Sequence, residues 1–409
     1  MFARILKPEE CWKCYKIQSI AFDSPFDEEK EKAECAKPKE PVAPAADGLP
    51  EESRGVMAWV SGEGDELYSA MEMFPFPTRF DGHVVLMGGV GGVATLPQYR
   101  RMGAVRVLMQ EALRDLYEHD YMLSMLYPFS SAYYRQFGYA SGTRLATWTV
   151  PLSGIKLPDV GGCMQMLNYG DDLSVLTKLY NDCCADWNLS VVRRVFDEDL
   201  IKENFMKKAR HIYVWRNNAG EPRGFIILKK VDKVLECTFD FDLLNAVYFR
   251  DAEALTAILR FATSFQPRCE QIRFCVPDGL HIESLVANDC DAKCELQYSD
   301  MVRVVNVRKA LEMCRCRGEG SVRISVTDAY IPKNCGVWQV DFVPGQPNRV
   351  QLVDAPADVE MRIDSFSQLI LGIRTADDLP MMPELTVHNP SAPLHQIFYK
   401  KMCWLTNLV

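Results

Sequence analysis

Residues 90–106 read VGGVATLPQYRRMGAVR. A strand runs through the first part and into a short loop carrying Arg100, Arg101 and Gly103. Pro97 ends the strand without disrupting a ladder. After it, Val105, Leu108, Met109, Ala112, Leu113, Leu116 and Tyr117 recur at offsets of three and four, which predicts an amphipathic helix. The loop therefore opens a helix, and a helix N-terminus offers unpaired N–H groups and partial positive charge. Such an end suits a phosphate. Gly103 lets the backbone come close to a ligand. Arg101 and Arg106 are placed to add charge-assisted bonds.

Three other readings compete for this stretch. Gly89-x-Gly91-x-x-Ala94 has the spacing of a dinucleotide fingerprint, but those glycines precede more strand and a proline instead of opening a helix. A P-loop requires Gly-Lys-Ser/Thr, which is absent. The plain structural alternative is a glycine-rich strand followed by a basic surface helix.

Working outward, residues 11–26 read as a helix and 27–53 as an exposed, charged loop rich in Pro and Ala. Strands are expected at 55–61, 67–74, 84–95 and 122–127. A second block has a similar order: a helix at 171–187, a hairpin at 211–229 turning at 217–220, a strand at 234–241, a helix at 251–261 and a strand at 272–276. From about 301 come an alternating strand (302–307), a short helix (308–313), strands at 322–326, 336–342 and 349–353, and a helix at 364–372. The fold class is α/β of the α+β kind, with mixed sheets. Three domains are expected, 1–150, 151–300 and 301–409.

Composition narrows the function. The 409 residues are 48% hydrophobic and 25% charged, as in a folded globular chain. A net charge of −9 argues against nucleic acid and is compatible with a cationic substrate. No apolar run is long enough for a bilayer, and the N-terminal stretch lacks a signal-peptide pattern, so a cytoplasmic protein with no membrane partner is expected. The fifteen cysteines are irregularly spaced. Cys11-x-x-Cys14 lacks two further ligands nearby, and Cys314 and Cys316 make a poor clamp, so no metal is expected.

Residues 93–113, VATLPQYRRMGAVRVLMQEAL, resemble the acetyl-CoA-binding motif of the GNAT N-acetyltransferases. Arg100-x-x-Gly103-x-Val105 follows that pattern except for valine where the family has glycine or alanine. Residues 133–139, YYRQFGY, resemble the family's tyrosine segment. The whole chain resembles one branch, the Eis-like enzymes, with two tandem GNAT-like domains and a small C-terminal domain similar to sterol carrier proteins. That resemblance implies acetyl-CoA as co-substrate, held by Val93, Ala94 and Thr95, by Arg101, Met102, Gly103, Ala104, Val105 and Arg106, and by Phe129 and Ser130. It implies Tyr134 as general acid and the terminal carboxylate of Val409 as general base. It also implies a closed homo-oligomer, often a hexamer, and an amine acceptor: a polyamine, an aminoglycoside-like polycation or a lysine. Phe22 and Asp23 are candidates to line the amine pocket.

The implied roles have chemical sense. An attacking amine must lose a proton and a departing thiolate benefits from gaining one. A phenol of ordinary pKa about 10 keeps its proton at neutral pH, and a terminal carboxylate of about 3.5 stays charged. Alternatives stand beside them: Tyr134 as a core aromatic, the C-terminal tail as a merely packed or disordered end, and the whole chain as an acetyl-CoA sensor or a lipid-binding module. Residues 248–253, YFRDAE, occupy the cofactor-loop position of the second block; they have no glycine and bring acids to the helix start, which reads as scaffold.

Overall fold

The computed structural model describes residues 1–37, 55–240, 243–244 and 246–407. The chain forms two compact units, one of residues 1–143 and 299–401, the other of 144–298 and 402–407.

In the first unit, β1 (Phe2–Ile5), β2 (Met57–Glu63), β3 (Glu66–Phe80) and β4 (His83–Thr95) pair antiparallel in order. β5 (Leu123–Leu126) then runs parallel to β4, and β6 (Ala140–Ser141) follows. α1 (Trp12–Ala21) ends where Asp23 turns to a left-handed φ of 57°, earlier than the expected 26. The segment read as a loop from 27 is in part a helix, α2 (Glu28–Cys35), which corrects that reading. Asp27 caps it by accepting the Lys30 N–H, and Lys32 pairs with Glu28 one turn back, so a charged sequence with little apolar content still closes two turns. The remainder of that segment, 38–53, lies outside the described residues. α3 (Ala104–Glu118) buries Val105, Leu108, Met109, Ala112, Leu113 and Leu116 against Met71, Met73 and Val90, as the periodicity predicts. α4 (Ser131–Arg135) is a single capped turn.

The second unit is built on β7 (Arg144–Pro151), β8 (Cys163–Leu167), β9 (Arg210–Arg216), β10 (Pro222–Val231), β11 (Val234–Cys237), the short pair β12 (Phe239–Asp240) and β13 (Leu243–Leu244), β14 (Ala246–Phe249), β15 (Gln271–Pro277) and β16 (Lys293–Tyr298). Its sheet runs β16-β7-β15-β11-β10-β9-β8, with β14 also on β10. Its helices are α5 (Ser174–Cys183), α6 (Glu198–Lys202) and α7 (Ala252–Ala262). α5 is shorter than the expected 171–187, because the Asp172 carboxylate accepts the Ser174 N–H and sets the start. Parallel β11 and β15 with α7 between them echo β4, α3 and β5.

β17 (Met301–Val304) returns to the first unit and inserts between β5 and β6, completing the order β1-β2-β3-β4-β5-β17-β6. The sequence predicts an alternating strand here, yet all four residues are buried. A central strand is covered on both faces, so alternation is not required of it. Arg303 on β17 is fully buried and forks onto Asp328 at 2.7 and 2.5 Å, and Asp328 also accepts from Asn334 Nδ2 at 2.9 Å. α8 (Val307–Met313) leads to a sheet ordered β20 (Arg349–Val353), β19 (Gly336–Phe342), β18 (Gly320–Thr327), β21 (Val359–Arg362), β22 (Thr386–Val387), with α9 (Ile363–Ile370) and α10 (Leu394–Ile397) beside it. No helix among the described residues is long and apolar enough to cross a membrane.

Candidate active site

β4 pairs with β5 only through Met87–Val90 opposite Leu123–Leu126. From Gly91 to Thr95 no strand pairs with it on that side among the described residues, and the Gly92 carbonyl is taken by Gln18. Between the pairs Ala70↔Ala94 and Glu72↔Gly91 the ladder shifts by one residue, a bulge with Gly92 at φ 58°. A side chain at Gly92 would strike Gln18 Nε2 at 2.1 Å. That nitrogen donates to Gly92 O at 3.1 Å and to Glu72 Oε2 at 3.2 Å. Ala94 is buried, and Val93 and Thr95 are half-buried. The Thr95 hydroxyl sits 2.8 Å from that of Ser69.

Beyond Leu96, a turn at Pro97–Tyr99 is braced by Tyr99 stacking on Tyr68 at 4.0 Å and donating its hydroxyl to Glu66 at 2.7 Å. Arg101 and Gly103 both adopt left-handed φ, 66° and 85°. Arg101, Met102, Gly103 and Arg106 are exposed, while Ala104 and Val105 turn into the core. The Val105 side chain is buried in the core with Leu108 and Met109. Among the described residues no side chain caps α3, and no acid stands in its first turn. Ser61 Oγ donates to Ala104 O at 3.1 Å and fixes the helix start from behind.

α7 of the second unit shows the opposite arrangement. Asp251 accepts the Ala254 N–H at 2.8 Å and is paired with Arg223, and Glu253 follows in the first turn. Its N-terminus is filled by its own carboxylate.

Tyr134 lies on α4, whose Ser130 cap accepts the Tyr133 N–H at 3.4 Å. The ring is buried against Tyr133 at 5.3 Å and Phe129 at 5.6 Å, while Phe129 itself is 77% exposed. It belongs to the same apolar cluster as Val90, with Val93 packed at the edge. Among the described residues its phenol makes no hydrogen bond. Burial, with lesser contributions from Tyr133 and Tyr139, pushes its pKa far above the usual phenol value, so the group stays protonated. Tyr139 is committed elsewhere: its hydroxyl meets Ser124 Oγ at 2.6 Å, and burial lifts it to about 12.

The structure brings Val93, Val105 and Tyr134 into one apolar cluster, with Arg101 to Arg106 running into the start of α3. Phe22 and Asp23 are exposed beyond the end of α1, and Val409 lies outside the described residues. Glu72 and Gln18 were not singled out from the sequence. The signal for Glu72 was available, since it is the one charged residue inside the apolar run 70–76.

Residues 3–142 match the acetyltransferase (GNAT) domain, and 307–406 match the sterol carrier protein domain. The N-terminal domain is a GNAT acetyltransferase domain. That domain supports an acyl-CoA-dependent transferase. The fold is similar to a probable N-acyltransferase from Enterococcus faecalis, 21% identical with a TM-score of 0.82, over 100% of this chain and 99% of that one. It is also similar to a GCN5-related N-acetyltransferase from Anabaena variabilis (18% identical, TM-score 0.76, 100% of both chains). Eis1 from Mycobacterium abscessus is similar at 17% identity and TM-score 0.75, over 100% of this chain and 99% of that one. No curated protein matches the chain significantly by sequence. Among the described residues no cluster of three or more His, Cys, Asp or Glu side chains is arranged to hold a metal.

Proposed function

We propose that this GNAT chain transfers acetyl from acetyl-CoA to a primary amine of a cationic acceptor: a polyamine, an aminoglycoside-like polycation or a lysine. The observation that carries the reading is the uncapped, acid-free N-terminus of α3 beside the open edge of β4, with protonated Tyr134 in the same cluster. In this proposal, backbone N–H groups of Arg101 to Arg106 take the pyrophosphate, and those of Val93 to Thr95 orient the pantetheine arm. Phe129 and Ser130 flank the arm ahead of Tyr134. Acetyl-CoA supplies a thioester carbonyl; Tyr134, protonated at neutral pH, protonates or hydrogen-bonds the departing sulfur, and its raised pKa favours the hydrogen bond over complete transfer.

The base is proposed to be the Val409 carboxylate. Docking of the tail supports this. Met402 O accepts the Asn188 N–H at 2.8 Å, and the Trp404 N–H is accepted by Asn188 O at 2.9 Å. The Trp404 indole donates to Tyr248 OH at 3.1 Å. Buried Arg193, stacked on Tyr180, donates to Asn407 Oδ1 at 2.9 Å and reaches the Thr406 hydroxyl at 3.4 Å. A second reading of the base is Glu72, a carboxylate held by Gln18 at the Gly92 bulge. A closed homo-oligomer in the cytoplasm completes the proposal.

The test is free-thiol release from acetyl-CoA by C-terminally untagged protein over a panel of amines. Tyr134→Phe is expected to lower kcat by about 10²-fold or more with little change in KM for acetyl-CoA. One residue added after Val409 is expected to abolish turnover. If activity survives that extension and is lost in Glu72→Gln, Glu72 is the base. Acetyl-CoA binding without turnover on any amine would favour a sensor, and tight fatty-acid binding without acetyl-CoA binding would favour a lipid module.

A further inference from the structure

Cys314 and Cys316 flank Arg315 just beyond α8, as free thiols with their sulfurs 3.8 Å apart. Cys314 is buried. Its thiol lies 3.3 Å from Leu311 O, and Asn348 Nδ2 approaches the sulfur at 3.3 Å. Cys316 is partly exposed. Beside them is Lys401, a buried ammonium paired with Asp81 at 2.5 Å and donating to Ile370 O at 2.9 Å. The same Asp81 carboxylate accepts the Arg315 N–H at 2.8 Å, and the Tyr399 hydroxyl donates to Arg315 O at 2.9 Å. The two-thiol loop is therefore held from both sides.

The environment divides the two sulfurs by role. The Cys314 thiol and, against burial, the Lys401 charge lower the pKa of Cys316; its contact with Cys316 and its own burial raise that of Cys314. One sulfur is partly exposed and more easily deprotonated, and the other is a buried thiol 3.8 Å from it. The cation at Lys401 also disfavours a metal ion at this pair.

We propose that Cys314 and Cys316 form a thiol–disulfide exchange site that takes a low-molecular-weight disulfide and closes to an intramolecular disulfide. The Cys316 thiolate attacks one sulfur of the small disulfide; its S–S bond breaks, one small thiolate leaves and takes up a proton, and a mixed disulfide remains on Cys316. Cys314 then loses its proton and attacks Cys316 Sγ, the bond to the second small thiol breaks, and that thiolate is protonated in turn. Two protein thiols are oxidised by two electrons and one small disulfide is reduced to two thiols. Closing the bond brings the sulfurs from 3.8 Å to about 2.05 Å. The movement falls on the segment 314–316, which Asp81 and Tyr399 bond at Arg315.

Native full-length protein is treated with limiting oxidised glutathione, alkylated with N-ethylmaleimide, digested and mapped by mass spectrometry. The expected result is a peptide containing 314–316 that is two hydrogens lighter and unalkylated, while exposed Cys163, Cys290, Cys294 and Cys335 carry the alkylating reagent or a glutathione adduct. Cys314→Ser should stop with one glutathione on Cys316, and Cys316→Ser should leave Cys314 reduced. Lys401→Gln, checked for folding by its thermal transition, should slow Cys316 alkylation about threefold or more. Full alkylation of both thiols in the wild type while the exposed cysteines are modified overturns the proposal. So does an adduct that forms first on Cys314, or no adduct on Cys316 in Cys314→Ser.

Discussion

Asp300 is 1% exposed, and its carboxylate accepts the Thr143 N–H at 3.0 Å and the Ser299 hydroxyl at 3.3 Å. Burial, only partly opposed by these bonds, pushes its pKa up to about 7. The proton is then held more tightly in the folded chain than in the unfolded one, where an aspartate titrates near 4. The stability it contributes is complete below about pH 4, falls as pH rises toward 7 and is level above, a span on the order of a few kcal/mol. Asp300→Asn should remove that fall, measured as the difference between variant and wild-type urea midpoints across pH 4 to 8; parallel profiles would refute it. Gly142 is required beside it, because a Cβ there would lie 1.8 Å from Asp300 Oδ1. Gly103 has the opposite character: no atom of the described residues lies within 4 Å of an added Cβ, so among them Gly103→Ala strains only the backbone. Its left-handed φ makes that cost about 1 kcal/mol. KM for acetyl-CoA should rise several-fold with kcat less affected.

At the scale of elements, two helices that each lie in the chain between the strands of a parallel pair carry opposite N-termini. α3 leaves its first N–H groups uncapped, and α7 caps its own with Asp251. Asp251→Ala should therefore cost about 1 kcal/mol in chemical denaturation and leave acetyl transfer unchanged. A large loss of turnover would give the second unit a direct part in the chemistry. Both helices were legible in the sequence, because Val105 to Leu116 and Ala254 to Ala262 bury one face at helical spacing. α2 was not, because Glu28 to Cys35 has no apolar face and is held by a cap and by Lys32, which pairs with Glu28 and lies 4.8 Å over the Trp12 ring. β1 was also missed: FARI is only four residues long and becomes a strand by pairing with β2.

For the whole molecule, the deciding feature is β17. It reaches the first sheet from beyond residue 300 and stands between β5 and β6, with Arg303 buried on Asp328 and its NH1 donating to Phe137 O. A chain ending at residue 299 would lose a central strand, and both β5 and β6 would lose a partner. It should be insoluble or lack a cooperative thermal transition. A soluble, cooperatively folding 1–299 chain would show that the sheet closes without that strand.

The sequence by itself determined the local units: the strand–loop–helix of residues 90–106 and the helix of the second block that opens at Asp251. Each depends on neighbours within a few residues, so spacing and turn residues record it. Tertiary structure alone decided the rest: β17 in the first sheet, Glu72 and Gln18 at the Gly92 bulge, Arg193 on Thr406 and Asn407, and Lys401 beside Asp81 and the two thiols. These partners are separated by dozens to hundreds of residues, and a long-range contact leaves no period in the sequence. Its free energy appears only when both surfaces are already folded.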